Sequence, residues 1–311
     1  MSQPAVKKSE NSLLKKIGVK SEWLVYLVPF MIGVVCFTLY PIINVFLTSF
    51  KENFNYITKT YTGWGFDNYV QIFNDPYFIQ ALKNTLSYVF VVIPISICIS
   101  VVAATLLNQK IKLSGLFQTA YFVPMVTSTI AVGFAWRFMF SHRYGVINYL
   151  LSMANIPAIN WLGDPAYNFY ALCIYGIWAI LPFSIILLLS GLQNIDPMYY
   201  TAAKVDGAGP LRIFFRVTIP LLAPTIFMVI MVNTISCFKV FNELFPLFGG
   251  TGSVPEGAAN NLFTVVLYIY YQFRGRVPSR YGLASAAAVV LFLIIFAVTM
   301  FQRFVEKKLK N

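Results

Sequence analysis

Charge is what this chain has least of. Only 11% of its 311 residues are charged, 23 basic and 11 acidic, against a hydrophobic share of 58%. So few charges cannot cover a water-soluble globule of this length, so most of the chain is expected to be solvated by lipid. Histidine occurs once, as His142 in a polar segment, and reads as a surface group rather than a catalyst. No paired carboxylates, Ser/His/Asp set or metal-ligand spacing can be assembled, so an enzyme is not expected. The four cysteines, Cys36, Cys98, Cys173 and Cys237, lie inside apolar runs without paired spacing. They read as small hydrophobes. The chain has no Gly-x-x-x-x-Gly-Lys-Ser/Thr loop, so it has no usual cradle for ATP phosphates. Nor do its basic residues cluster on a folded polar surface, which argues against a nucleic-acid partner.

Long apolar runs are what is present. A membrane-crossing helix needs about 20 mostly apolar residues, and six uncharged runs meet this: residues 23–50, 84–107, 113–136, 165–192, 217–238 and 281–302. A seventh, 262–273, is too short to span and reads as an interfacial or re-entrant helix packed on the bundle. The runs are continuous rather than alternating, which indicates helices and not a barrel. The first run is too long for a cleavable signal, and no small-residue cleavage site follows it. Pro29, Pro41, Pro94, Pro124, Pro182 and Pro224 fall inside the runs and predict kinks.

Basic residues orient the bundle. Lys7, Lys8, Lys15, Lys16 and Lys20, then Lys110 and Lys112, then Lys204, Arg212 and Arg216, and finally Arg303, Lys307, Lys308 and Lys310 all fall on one side. Fewer fall on the other: Lys51, Lys59, Lys83, Arg143, Arg274, Arg276 and Arg280. The positive-inside rule puts both termini in the cytoplasm. The net charge of +12 is then a matter of topology and anionic headgroups. The expected layout is a cytoplasmic tail at 1–22, a transmembrane domain at 23–304 and a second tail at 305–311.

One stretch is unlike its neighbours: "IDPMYYTAAKVDGAGPLRIFFRVTIP", at 195–220. Asp196 is a good N-cap and Pro197 suits the first helical position, predicting a helix over 197–206. Gly207 supplies the left-handed residue that stops it. Gly209 and Pro210 open a second helix carrying Arg212 and Arg216 on one face, which Pro220 is expected to close. Tyr199 and Tyr200 flank the small Ala202 and Ala203, a composition that suits docking into a cleft. An amphipathic helix resting on headgroups is the alternative.

The spacing of Ala202, Ala203, Gly207 and the closing Val217, Thr218, Ile219, Pro220 resembles the cytoplasmic loop of permeases in binding-protein-dependent ABC importers. That pattern is Glu-Ala-Ala, three residues, Gly, nine residues, Ile, any residue, Leu, Pro. "WLVYLVPFMIGVVCFTLYPIINVFLTSF", "GFDNYVQIFNDPYFIQALKNTL", "QTAYFVPMVTSTIAVGFAW", "INWLGDP" and "YGLASAAAVVL" are similar to its carbohydrate branch. That branch serves maltose, multiple sugars and glycerol 3-phosphate, and the match is to the partner with the longer N-terminal region. The resemblance implies an all-α polytopic fold of six transmembrane helices, the type I importer permease fold, in the bacterial cytoplasmic membrane. It implies that the loop, 193–220, is a coupling helix seated in a groove of a separate ATPase. The residues carried over are Tyr200, Thr201, Ala202, Ala203, Asp206, Gly207, Arg212, Arg216 and Pro220. Thr201 departs from the family's Glu, removing a potential salt bridge. The implied partners are a second permease, an ATPase dimer that uses ATP and Mg, and an extracytoplasmic solute-binding protein; this chain binds no cofactor.

For the solute pathway, Asn233, Ser236, Val240 and Glu243 recur at helical spacing, with Lys239 and Asn242 beside them. They are expected to line a cavity for a sugar, with helix–helix hydrogen bonding as the alternative. Trp136, Tyr175 and Trp178 are candidate stacking platforms, against belt or packing roles. The six runs contain no Asp, Glu, Lys, Arg or His, which weighs against an ion-coupled carrier. The small residues at 281–288 suit a helix seam, within the chain or with a second permease.

Overall fold

The computed structural model describes residues 23–109, 114–248, 262–275 and 280–310. Residues 1–22, and with them the N-terminal lysines, lie outside these, as do Lys110, Lys112 and Arg276. The chain divides into two units, Met1–Leu47 and Thr48–Asn311.

The first unit holds α1 (Trp23–Val34), a π turn at Val35–Leu39 and most of α2 (Tyr40–Ser49). From Tyr26 onward its apolar side chains are exposed almost throughout, as fits a helix that is hydrophobic on all faces. The π turn has a cause. Proline lacks an N–H and crowds the carbonyl four residues back. Pro41 follows directly, and the Tyr40 N–H reaches the Val35 carbonyl, one residue beyond the α-helical partner. The wider turn relieves the crowding.

The second unit begins with a hairpin of β1 (Lys51–Glu52) and β2 (Gly63–Trp64), then α3 (Asp67–Asn74). The long helices follow: α4 (Pro76–Leu107), α8 (Asn168–Gln193), α11 (Ile219–Phe238) and α14 (Tyr281–Lys310). α4 packs most extensively on α8, and α11 lies against α4, α8 and α14. Val92, Leu188, Leu222 and Val229 are fully buried between them. Gly176 lets α8 approach α4, since a Cβ there would run into the Tyr88 hydroxyl.

Among the described residues, five helical stretches are long and apolar enough to cross a membrane: Tyr26–Ser49, Pro76–Leu107, Asn168–Gln193, Pro210–Phe238 and Tyr281–Lys308. The sixth expected span, 113–136, is not continuous. It is divided into α5 (Ser114–Val126) and α6 (Thr129–Met139), and the short α7 (Val146–Met153) follows. Pro124 withholds an N–H from the ladder, the Thr127 hydroxyl turns back to the Val123 carbonyl at 2.7 Å, and Ser128 swings to ψ 124°. A run that hydropathy reads as one helix is therefore two.

The expected stop at Pro220 is also corrected. α10 (Pro210–Ile213), a π turn at Phe214–Thr218 and α11 form one unbroken helical stretch, Pro210–Phe238. The Ile219 N–H bonds the Phe214 carbonyl, repeating the arrangement before Pro41, so Pro220 enters where the ladder has already been reset. α14 runs on to Lys310, so the described residues from 305 onward are helical.

The short apolar run near 262–273 forms α13 (Val265–Tyr270) and a π turn at Tyr271–Gly275, packed on α4 and α14. Four bonds fasten it. Asn84 Nδ2 donates to the Phe263 carbonyl at 3.0 Å, and the Val265 N–H donates to Thr85 Oγ1 at 3.0 Å. Thr264 Oγ1 donates to the Val240 carbonyl at 3.1 Å, and the Tyr268 hydroxyl to Asp75 Oδ2 at 2.8 Å. Gly282, Ala284, Ala286 and Ala287 are buried, so the small-residue seam is used within the chain.

Candidate functional site

The loop after α8 is built as its residues dictate. Asp196 Oδ1 accepts the Met198 N–H at 2.8 Å and Pro197 occupies the first position of α9 (Pro197–Val205). At the other end the Ala208 N–H reaches the Ala203 carbonyl and the Gly207 N–H the Lys204 carbonyl, both at 3.0 Å. This pair of bonds is a Schellman stop. It needs a left-handed residue, and Gly207 has φ +72°. Nothing lies within 4 Å of a Cβ placed there, so conformation rather than space requires the glycine.

α9 contributes no buried residue to the bundle. Met198, Val205 and Leu211 are 75%, 83% and 74% exposed, and Tyr199 and Phe215 are also open. Thr201, Ala202, Asp206, Arg212, Arg216 and Pro220 are exposed, while Tyr200 and Ala203 are half-buried. The Thr201 hydroxyl donates to the Pro197 carbonyl of its own helix at 3.1 Å, keeping only its lone pairs for a neighbour. A capped helix of this kind, apolar, exposed and held at both ends, is a knob without a socket among the described residues.

At the far end of the bundle the expected solute residues separate. α11 ends at Phe238, so Lys239, Val240, Asn242 and Glu243 do not continue the helical face of Asn233 and Ser236. Asn233 is 2% exposed and its Nδ2 donates to Ser184 Oγ on α8 at 2.8 Å, which is helix-to-helix bonding. Val240 is buried. Ser236, Lys239 and Asn242 are exposed, and half-buried Glu243 accepts the Phe241 N–H at 3.2 Å.

Asn242 joins Ser128, Thr129, Ile130 and Phe245 around a cleft of about 380 Å³. Two hydroxyls, one amide and one ring thus meet where α5 and α6 break apart. Sequence reading missed Ser128 and Thr129; Pro124 just ahead of them was the available signal.

Trp136, Tyr175 and Trp178 do come together, but on one another. Trp136 meets Trp178 at 5.3 Å and Tyr175 at 5.9 Å between ring centroids, edge to face. Tyr175 is 2% exposed and Trp136 buried, and Phe140 and Leu247 complete the cluster. It is a packing unit. α12 (Leu244–Phe248) rests on α6, with Pro246 so close to Gly133 that a side chain there would collide with it.

Comparison with known proteins gives a consistent picture. The pattern of the family described as binding-protein-dependent transport system inner membrane component matches residues 96–311. The lactose transport system permease protein of Rhizobium radiobacter is 33% identical over 304 residues, 97% of this chain and 99% of that protein. The trehalose/maltose transport system permease protein of Thermococcus litoralis is 29% identical over 94% of this chain and 96% of its own. An arabinooligosaccharides transport system permease protein of Halalkalibacterium halodurans is 32% identical over 91% and 87%. Among solved structures, a bacterial ABC transporter involved in import of the acidic polysaccharide alginate superposes with a TM-score of 0.80. It is 24% identical and covers 97% of this chain and 100% of that one, which shows a shared fold.

Proposed function

The chain belongs to the family of binding-protein-dependent transport system inner membrane components, and from that premise we propose that it forms half of the transmembrane pathway of an ATP-driven sugar importer. The names of its relatives, permeases for lactose, trehalose/maltose and arabinooligosaccharides, support a saccharide as the solute. The observation that carries the coupling role is the exposed helix Pro197–Val205, fixed by Asp196 at one end and Gly207 at the other.

In this reading a separate ATPase dimer binds ATP and Mg and receives α9 in a groove. Met198, Tyr199 and Val205 supply apolar contact there, and Arg212 and Arg216 flank it with charge. A second, related permease completes the pathway, and a solute-binding protein delivers the sugar at the far end. ATPase closure moves α9. Because α9 joins the packed helices α8 and α11, its displacement is carried into rigid-body rocking that opens the pathway to one side at a time. Both termini and the α9 loop face the cytoplasm. Ser236, Lys239 and Asn242, with the hydroxyls of Ser128 and Thr129, offer hydrogen bonds to sugar hydroxyls on the way.

The test is uptake by vesicles that hold ATP but no membrane potential or ion gradient. Saccharide accumulation, with solute-dependent ATP hydrolysis by the assembled complex, supports the reading. Uptake that follows the ion gradient and ignores ATP contradicts it.

A further inference from the structure

A second cleft, of about 550 Å³, lies away from the α9 loop and from the Asn242 cleft. Its walls are the residues after β1, from Asn53 to Ile57, with Asn68 and Gln71 on α3 and Arg280 to Leu283 at the start of α14. Strict alternation of the long helices puts it at the end of the bundle opposite α9. It is within the size range of small-molecule sites.

Its chemistry is set by which amide atoms are already in use. Asn68 is 2% exposed and its Nδ2 donates to the carbonyls of Ser49 and Lys51, both at 2.9 Å, which leaves Oδ1 as its acceptor. Asn53 Nδ2 donates to Thr62 Oγ1 at 3.3 Å, which again leaves an oxygen. Asn55 is the reverse. Its Oδ1 accepts the N–H groups of Ile57 and Thr58 at 2.9 and 3.4 Å, so its Nδ2 is the group left to donate. Gln71 and Arg280 are exposed and add further donors. Tyr56 and Tyr281 form an aromatic edge, centroids 5.1 Å apart at 31°.

Fixed acceptors beside fixed donors, with no carboxylate among the described lining residues, select a ligand that both donates and accepts. A carboxylate, or a phosphate ester as its dianion, has no proton to give Asn53 and Asn68 at neutral pH. A hydroxyl has both functions. Vicinal hydroxyls suit the guanidinium fork, and the apolar face of a sugar ring suits the tyrosine edge. From this arrangement we infer that the cleft is a subsite for a neutral saccharide, separate from the transmembrane pathway and ahead of it. The inference rests on the saccharide reading above for the identity of the class, and on the cleft alone for the site.

The experiment uses the assembled importer in nanodiscs without the solute-binding protein, probed by saturation-transfer NMR with maltose, lactose and arabinotriose in turn. At least one sugar should show transfer. Gln71→Trp, which fills the cleft from an exposed position, should remove the cleft's share of the signal, so that transfer falls. Arg280→Ala should weaken binding about fivefold, the scale of one hydrogen bond. Tyr144→Ala, exposed and outside the cleft, should leave it unchanged.

Transfer undiminished by Gln71→Trp, no transfer to any of the three sugars, or displacement of a bound sugar by inorganic phosphate overturns the assignment. ATP-driven uptake measured on the same preparation separates the outcomes. Uptake without cleft binding sinks only the subsite, and cleft binding without ATP-driven uptake sinks only the importer reading.

Discussion

Replacing Gly207 by alanine separates the conformation of the α9 turn from its packing. Gly207 has φ +72°, and a Cβ there meets no atom within 4 Å. The substitution therefore adds no clash and removes no contact. What it adds is the left-handed penalty of an L-residue, about 1–2 kcal/mol. That energy is a factor of about 5–30 between the native turn and its relaxed alternatives. If the turn is what presents α9 to the ATPase, the Gly207→Ala complex should lose import per ATP hydrolysed by up to that factor, with normal membrane insertion. Gly207→Asn should lose less, because asparagine tolerates the left-handed region. The assay is reconstitution in proteoliposomes, with sugar uptake and phosphate release measured on one sample. An alanine variant with an unchanged uptake-to-hydrolysis ratio, or an asparagine variant worse than the alanine one, refutes the reasoning.

Asp196→Ala removes the Met198 N–H acceptor and should cost the first turn of α9 about 1 kcal/mol. Hydrogen exchange should speed up at Met198 and Tyr199 and stay unchanged in α8. Asn233→Leu breaks the bond to Ser184 inside the bundle and should lower stability by about 0.6–2 kcal/mol. Thermal unfolding in detergent reads this loss, and an unchanged KM for the sugar would agree with a bridging rather than a ligand-binding asparagine. Gly176→Val drives a side chain into the Tyr88 hydroxyl at the α4–α8 contact. Overpacking of this kind costs about 1–3 kcal/mol, so the yield of folded protein on size exclusion should fall, and Tyr88→Ala should partly restore it.

The parts of the fold legible in sequence are those set by neighbours along the chain. Asp196, Pro197 and Gly207 define α9 because a cap, a fixed φ and a left-handed residue act within a few positions. Hydropathy reads solvent and not hydrogen bonding, so the apolar runs stop short of the helix ends: α4 begins at Pro76 and α14 runs to Lys310. It also concealed the break at Ser128, where the change is in the backbone and the polarity stays low. Pro220 misled in the opposite direction, because a π turn accommodates a proline that a strict α-helix would not.

Long-range pairings left no local trace. Asn84 and Thr85 bond residues almost 180 positions away, and Asn233 finds Ser184 rather than a cavity. The buried Asn148 is a further case: it accepts the Trp161 indole N–H at 2.9 Å and donates to the Ile159 carbonyl at 2.8 Å, tying together a loop that no periodicity marks.

The account depends on where α9 sits in the assembled importer, and a cysteine at Ala202 measures this directly. Ala202 is exposed on α9, and the chain's own thiols at Cys36, Cys98, Cys173 and Cys237 can be changed to serine or alanine beforehand. The account predicts a disulfide between Ala202→Cys and a cysteine in the groove of the ATPase subunit, with a yield that changes between nucleotide-free and ATP-bound complexes. Labelling of the same cysteine by a membrane-impermeant reagent added outside intact cells, with no crosslink to the ATPase, would contradict it.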